Sequence, residues 1–201
     1  MKLFYKPGAC SQATHIALRE AELHHTVESV DTAAQRTASG EDYRTINPKG
    51  VVPALKLDSG EVLTEGAAIL QFVADLRPES ELAPAAGTMA RTRLQESLNF
   101  LSSEVHKSFG PFFAKDGAPT ERDKAHVHRQ LQFLEDDLAD GRAFLLGDAF
   151  TVADAYAFVV VSWTKPAGIP LTAYPHLKAF LSRVRKRPAV REALRAEGLL
   201  R

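Results

Sequence analysis

The feature that most limits what this chain can fold into is a change of character near residue 80. Before it, short apolar or β-branched runs alternate with helical patterns. After it, every patterned stretch is helical. The segment between, 77–87, is rich in Pro, Glu, Ala and Gly and reads as a linker. In the first part, 2–5 is a short strand ended by Pro7-Gly8, 11–22 is a helix with Ile16, Leu18 and Leu23 on its buried side, and 26–30 is a second strand. Residues 54–57 and 61–63 flank the turn Asp58-Ser59-Gly60 as a hairpin. Thr64-Glu65-Gly66 then opens a helix striped by Ile69, Phe72, Val73 and Leu76. This order predicts a small mixed sheet with helices packed on it, an α/β domain over 1–80.

The second part, 88–201, is expected to be an all-α domain. A long helix over 88–113 carries an apolar row, Leu94, Leu98, Leu101, Val105, Phe109 and Phe112, and a separate polar row, Asn99, Ser103 and His106. A second helix covers 121–138. Thr151-Val152-Ala153-Asp154 resembles a capping box, with Asp where Glu or Gln is usual. The helix after it, 155–163, is apolar nearly all round, which predicts a central, buried position. Short amphipathic helices follow from Pro175, and the basic run Arg183, Arg185, Lys186 and Arg187 reads as a solvated face.

Composition excludes several classes. Twenty-five basic residues balance 25 acidic ones, so the chain has no electrostatic footprint for nucleic acid or an anionic membrane. No apolar run reaches the 18 or more residues that a membrane span needs. The N-terminus has no signal-peptide layout, and one cysteine forbids an internal disulfide. The expected setting is reducing and cytoplasmic.

Four features carry chemistry. Cys10 lies between the first strand and the first helix, where the helix dipole favours a thiolate. Val52-Pro53 precedes the third strand; a cis bond there would present the Val52 N–H and C=O to a peptide-like ligand. Glu65-Gly66 opens a helix whose first N–H groups suit a carboxylate. His106 on the polar row suits a thiol partner or a proton carrier. Singly, each has an ordinary structural reading: a buried small hydrophobe for Cys10, a trans edge proline for Pro53, a plain helix start for Glu65, a surface imidazole for His106, and core for Trp163. Metal-binding spacings and a glycine-rich phosphate loop are both missing from the sequence.

Taken together, the stretches 2–11 (Lys-Leu-Phe-Tyr-Lys-Pro-Gly-Ala-Cys-Ser), 47–55 (Asn-Pro-Lys-Gly-Val-Val-Pro-Ala-Leu), 63–66 (Leu-Thr-Glu-Gly), 98–107 (Leu-Asn-Phe-Leu-Ser-Ser-Glu-Val-His-Lys) and 151–155 (Thr-Val-Ala-Asp-Ala) resemble the beta-class glutathione transferases of bacteria. The resemblance runs in one order along essentially the whole chain. It implies a thioredoxin-like N-terminal domain, an all-helical C-terminal domain and a homodimer. It implies glutathione as substrate rather than a cofactor, and an apolar electrophile bound between the domains.

By the same resemblance, Cys10 faces the glutathione sulfur, Val52 beside a cis Pro53 pairs with the cysteinyl backbone, and Glu65 and Gly66 hold the γ-glutamyl end. Asn99, Ser103, Glu104 and His106 match the helix that closes the site, with His106 beside Cys10 in catalysis. Gln35 stands where some relatives carry a lysine for the glycine carboxylate, and Arg36 is a candidate replacement. Phe109, Phe113 and Trp163 are expected in the electrophile pocket, and the hydroxyls of Tyr5 and Ser11 rank below Cys10. The implied activity is conjugation of glutathione, with thiol–disulfide exchange through Cys10. The alternatives are glutathione-dependent reductive dehalogenation or thiol transfer, and a non-catalytic binding scaffold.

Overall fold

A computed structural model describes residues 1–114 and 117–200. In chain order the elements are β1 (Lys2–Tyr5), α1 (Ser11–Glu20), β2 (Thr26–Asp31), β3 (Arg36–Thr37), α2 (Tyr43–Ile46), β4 (Ala54–Lys56), β5 (Val62–Thr64), α3 (Gly66–Leu76), α4 (Met89–Phe100), α5 (His106–Ser108), α6 (Glu121–Asp137), α7 (Val152–Ser162), α8 (Pro175–Arg185) and α9 (Pro188–Ala196). They form two compact units, Met1–Ala83 with Lys186–Arg201, and Pro84–Arg185.

In the first unit the strands lie in the order β3-β2-β1-β4-β5. β1 runs parallel to β2, with Leu3 opposite Val27, and antiparallel to β4, with Leu3 opposite Leu55. β4 and β5 close the hairpin expected around Gly60. The alternation of strand side chains puts Phe4, Val30 and Ala54 on one face, where they pack with Tyr43. Tyr43 belongs to a stretch that the sequence pattern leaves irregular but that contains β3 and α2. Two strand residues and one helical turn are too short to show a period.

The inward stripe of α3 differs from the expected one. Ile69, Leu70, Val73 and Ala74 are buried, Phe72 is half-buried, and Leu76 is 43% exposed. Small Ala74 takes a buried place, while Leu76, the last residue of the helix, faces outward.

The tail after residue 185 also departs from the 88–201 expectation, because it belongs to the first unit. α9 packs on α1. Arg187 forms a two-pronged pair with Glu20 at 2.6 and 2.8 Å, so it is not merely a solvated cation.

In the second unit α4 continues through a π-helical stretch, Leu101–Val105, into α5. The apolar row survives the change: Leu94, Leu98, Leu101, Val105 and Phe109 are all fully buried. The stretch spans the first of two consecutive steps of four in that row, Leu101 to Val105 and Val105 to Phe109, and π-bulges of this kind are frequent at functional sites. α7 is buried along Val152–Val161, as its all-round apolarity predicts. Its start is closed by Asp154, which accepts from the Thr151 N–H and hydroxyl at 2.8 and 2.9 Å and from the Leu145 N–H at 2.8 Å. Among the described residues, no helix is long and apolar enough to cross a membrane.

Candidate functional site

β1 ends at Tyr5, and the chain turns through Gly8, at φ +71°, to deliver Cys10 to the first turn of α1. The thiol is half-buried, and its Sγ lies 3.3 Å from the Val52 carbonyl oxygen. The Val52–Pro53 bond is cis, as the family resemblance implied, and not the trans edge proline of the ordinary reading. Val52 comes just before β4, and its position is fixed by its neighbour. The Val51 carbonyl accepts from the Tyr43 hydroxyl at 2.9 Å and from Asn47 Nδ2 at 2.7 Å. Burial pushes the Tyr43 phenol up to about 12, so it stays a donor. Neither Tyr43 nor Asn47 was singled out from the sequence, although Asn47 opens the Asn-Pro-Lys-Gly turn.

Glu65 has φ +70°, a conformation that costs a side-chain-bearing residue about 1–3 kcal/mol and that clusters at functional sites. It is exposed, and its carboxylate pairs with Lys49 Nζ at 2.5 Å. Gly66 begins α3, whose first amides have no acceptor within the helix. A Cβ on Gly66 would meet Pro53 Cγ at 3.8 Å, so the helix start and the Val52–Pro53 segment adjoin. The sulfur, the Val52 carbonyl, the Glu65 carboxylate and the α3 amides are thereby supplied by one small unit. Lys49, unforeseen from the sequence, adds a positive charge.

Other candidate residues of this unit are engaged within it, Arg36 at the surface. Gln35, at φ +55°, donates through Nε2 to the carbonyls of Thr32 at 2.6 Å and Gly50 at 3.0 Å, so it ties two loops together. Arg36 Nη1 donates to the Gly40 carbonyl at 3.1 Å. The Ser11 hydroxyl is fully buried and bonds the N–H and C=O of Lys6 at 3.1 and 3.3 Å. Tyr5 is buried, and burial raises its phenol pKa.

In the second unit, Asn99, Ser103 and Glu104 are exposed, the last two within the π-helical stretch. His106 is half-buried, and its Nδ1 lies 2.8 Å from the Tyr156 hydroxyl of α7. Burial, helped by the Lys107 charge, pushes the imidazole down to about 4, so it is neutral at pH 7. The His106, Phe109 and Phe113 rings all pack edge-on against Trp163, at centroid distances of 4.8, 5.9 and 5.8 Å. Phe109 is fully buried and Phe113 is 49% exposed, so this cluster runs from core to surface. The three aromatic residues expected in a pocket therefore share one cluster. Tyr156 is its unforeseen member, hidden in the sequence by the uniform apolarity of α7. Among the described residues, no group of three His, Cys, Asp or Glu is set to hold a metal ion.

Comparison with known proteins gives the same outline. Residues 8–76 match the family model for the glutathione S-transferase N-terminal domain, and 84–183 match that for the C-terminal domain. Glutathione S-transferase GstA of Escherichia coli O157:H7 is 44% identical over 203 residues, covering 99% of this chain and 100% of that protein. A sphingomonad glutathione S-transferase solved with glutathione is 50% identical with a TM-score of 0.92, over 99% of this chain and all of the other. The beta-class enzyme of Sphingomonas chungbukensis is 46% identical with a TM-score of 0.94, over 100% of both chains.

Proposed function

The chain belongs to the glutathione S-transferase family and is a transferase, and from that premise we propose that Cys10 is the thiol beside which it binds glutathione. The observation that carries this reading is the 3.3 Å approach of Cys10 Sγ to the Val52 carbonyl oxygen, just ahead of β4. A peptide whose cysteinyl residue pairs with Val52 brings its own sulfur to Cys10. The α3 amides at Gly66 suit the γ-glutamyl carboxylate, and Glu65 suits its ammonium group. Lys49 now occupies Glu65, so a ligand ammonium exchanges one ion pair for another. Gln35 supports the loop, through its bonds to Thr32 and Gly50, rather than contacting the glycine carboxylate.

In conjugation, hydrogen bonds to the glutathione sulfur favour its thiolate, which attacks the electrophilic carbon and displaces the leaving group. In exchange, the Cys10 thiolate attacks oxidised glutathione. One reduced glutathione leaves as thiolate, and the mixed disulfide stays on Cys10. Neutral His106 suits a proton carrier or a donor from Nε2, if the Tyr156 hydroxyl donates to Nδ1. The cluster of Phe113, Trp163 and Phe109 favours an apolar electrophile.

A reducing, cytoplasmic setting suits a lone working thiol. We also read the chain as a homodimer. A cavity of about 590 Å³ between α4 and α6 is lined by Phe100, Phe133, Arg93, Glu96, Asp137 and Arg142. Phe133 stays 57% exposed against Phe100, and the mixed charges suit a self-complementary face.

Calorimetry tests the site. Reduced glutathione should bind at least about tenfold more tightly than free cysteine, because only glutathione reaches Glu65 and Gly66. Equal affinities would sink the assignment.

A further inference from the structure

Behind the Cys10 loop lies a buried polar cluster that the transferase reading leaves unused. Glu197 follows α9, and its side chain is fully buried. Its Oε2 accepts from the Gly8 N–H at 3.1 Å and from Gln12 Nε2 at 3.0 Å, and its Oε1 meets His15 Nδ1 at 3.0 Å. Arg19 Nε donates to His15 Nε2 at 3.0 Å. A guanidinium can only donate, so Nε2 accepts and Nδ1 carries the proton that points at Glu197. The carboxylate thus takes three donors, with Arg19 one imidazole away as counter-charge.

Two of those donors bracket Cys10, since Gly8 lies two residues before it and Gln12 two after. A carboxylate is costly to bury even when paired. Holding the tail on α1 does not require it, because Arg187–Glu20 and Arg19–Glu192 already link the two elements at the surface. What Glu197 adds is a fixed direction for the loop. Leu199 closes over the same place, 3.7 Å from where a Cβ on Gly8 would sit.

We propose that Glu197 is a positioning residue for the Cys10 thiol, holding the loop through the Gly8 N–H and Gln12 so that the sulfur stays at the first turn of α1. This inference rests on Cys10 being the reactive thiol. The titratable and charged groups on and around the loop are Lys6 of the loop, Tyr5 of β1, Tyr43 of α2, His15 and Arg19 of α1, and Glu197 itself.

Glu197→Gln sets two effects against each other. Losing a negative charge favours the thiolate, whereas releasing the loop withdraws Cys10 from the positive end of α1. Positioning requires the second to win. The test is the rate of iodoacetamide alkylation of the full chain against pH, followed by intact mass, with Cys10 as the sole cysteine. Glu197→Gln should move the alkylation midpoint to higher pH and slow the reaction at pH 7 by about tenfold, one unit of midpoint. Gln12→Met removes one donor and no charge, and should shift the midpoint the same way by less; it decides the matter if Glu197→Gln does not fold. Arg187→Leu loosens the same tail away from Cys10, and should lower the melting temperature with the profile unchanged. A reactive wild type with unshifted or downshifted variants, or an equal shift in Arg187→Leu, overturns the inference alone. An inert Cys10 in the wild type overturns both it and the thiol assignment.

Discussion

At the scale of single residues, Cys10 and Val52 sit where their elements begin, so backbone geometry decides their chemistry. Cys10→Ala should abolish the glutathione adduct that intact-mass spectrometry detects after oxidised glutathione is added. Conjugation should fall by less than about tenfold, because the bound peptide brings its own thiol. Gly50 turns the chain into the Val51–Val52 segment at φ +66°, and a Cβ there would lie 2.6 Å from Gln35 Oε1. Gly50→Ala should therefore cost about 1–2 kcal/mol in denaturant unfolding, the left-handed penalty alone, and should weaken glutathione binding by moving Val52.

His106 gives a pH test. Its folded pKa, about 4, is below the ordinary 6.5. The unfolded chain therefore takes up the proton first as pH falls. The stability tied to a neutral imidazole is fully present above pH 6.5 and is lost between 6.5 and about 4. Urea unfolding of wild type and His106→Asn should show a steeper acid loss in the wild type, and parallel curves would refute the assignment.

At the scale of elements, the two capping boxes differ in burial. Thr120 and Asp123 cap α6 at the surface, while Thr151 and Asp154 cap α7 inside the protein. Removing the outer carboxylate leaves N–H groups that water can satisfy. Removing Asp154 strands the N–H groups of Thr151 and Leu145 without water. Asp154→Ala should cost about 2–4 kcal/mol, two or more unsatisfied buried donors, and Asp123→Ala much less. Melting temperatures of the two variants measure the difference.

At the scale of the whole molecule, the dimer reading predicts twice the chain mass by light scattering at micromolar concentration. It also predicts that Phe133→Glu shifts the mass to one chain, since a charge on that exposed ring opposes burial of the α4–α6 face. A wild-type monomer would remove the reading. Ending the chain at residue 185 should uncover α1 and lower the melting temperature, because residues 186–201 belong to the first unit.

Whatever depends on local period and chemistry was legible in the chain of residues. The short apolar run of 2–5, the β-branched residues of 26–30, the Asp58-Ser59-Gly60 turn, the apolar row of 94–109 and the Thr151–Asp154 cap all follow from patterns of a few residues. Cys10, Val52–Pro53 and Glu65–Gly66 each mark an element's start, but singly they had ordinary readings and stood out only through the family resemblance of the stretches around them. Which distant groups meet those starts is set by the folded packing. Nothing near residue 197 announces that its carboxylate will cradle Gly8, and nothing near Lys49 points to Glu65. The π-helical register of Leu101–Val105, the Tyr43 and Asn47 grip on Val51 and the Tyr156 hydroxyl on His106 were equally hidden. Such contacts depend on how elements pack. Packing is set by the whole buried surface at once, so no window of sequence contains it.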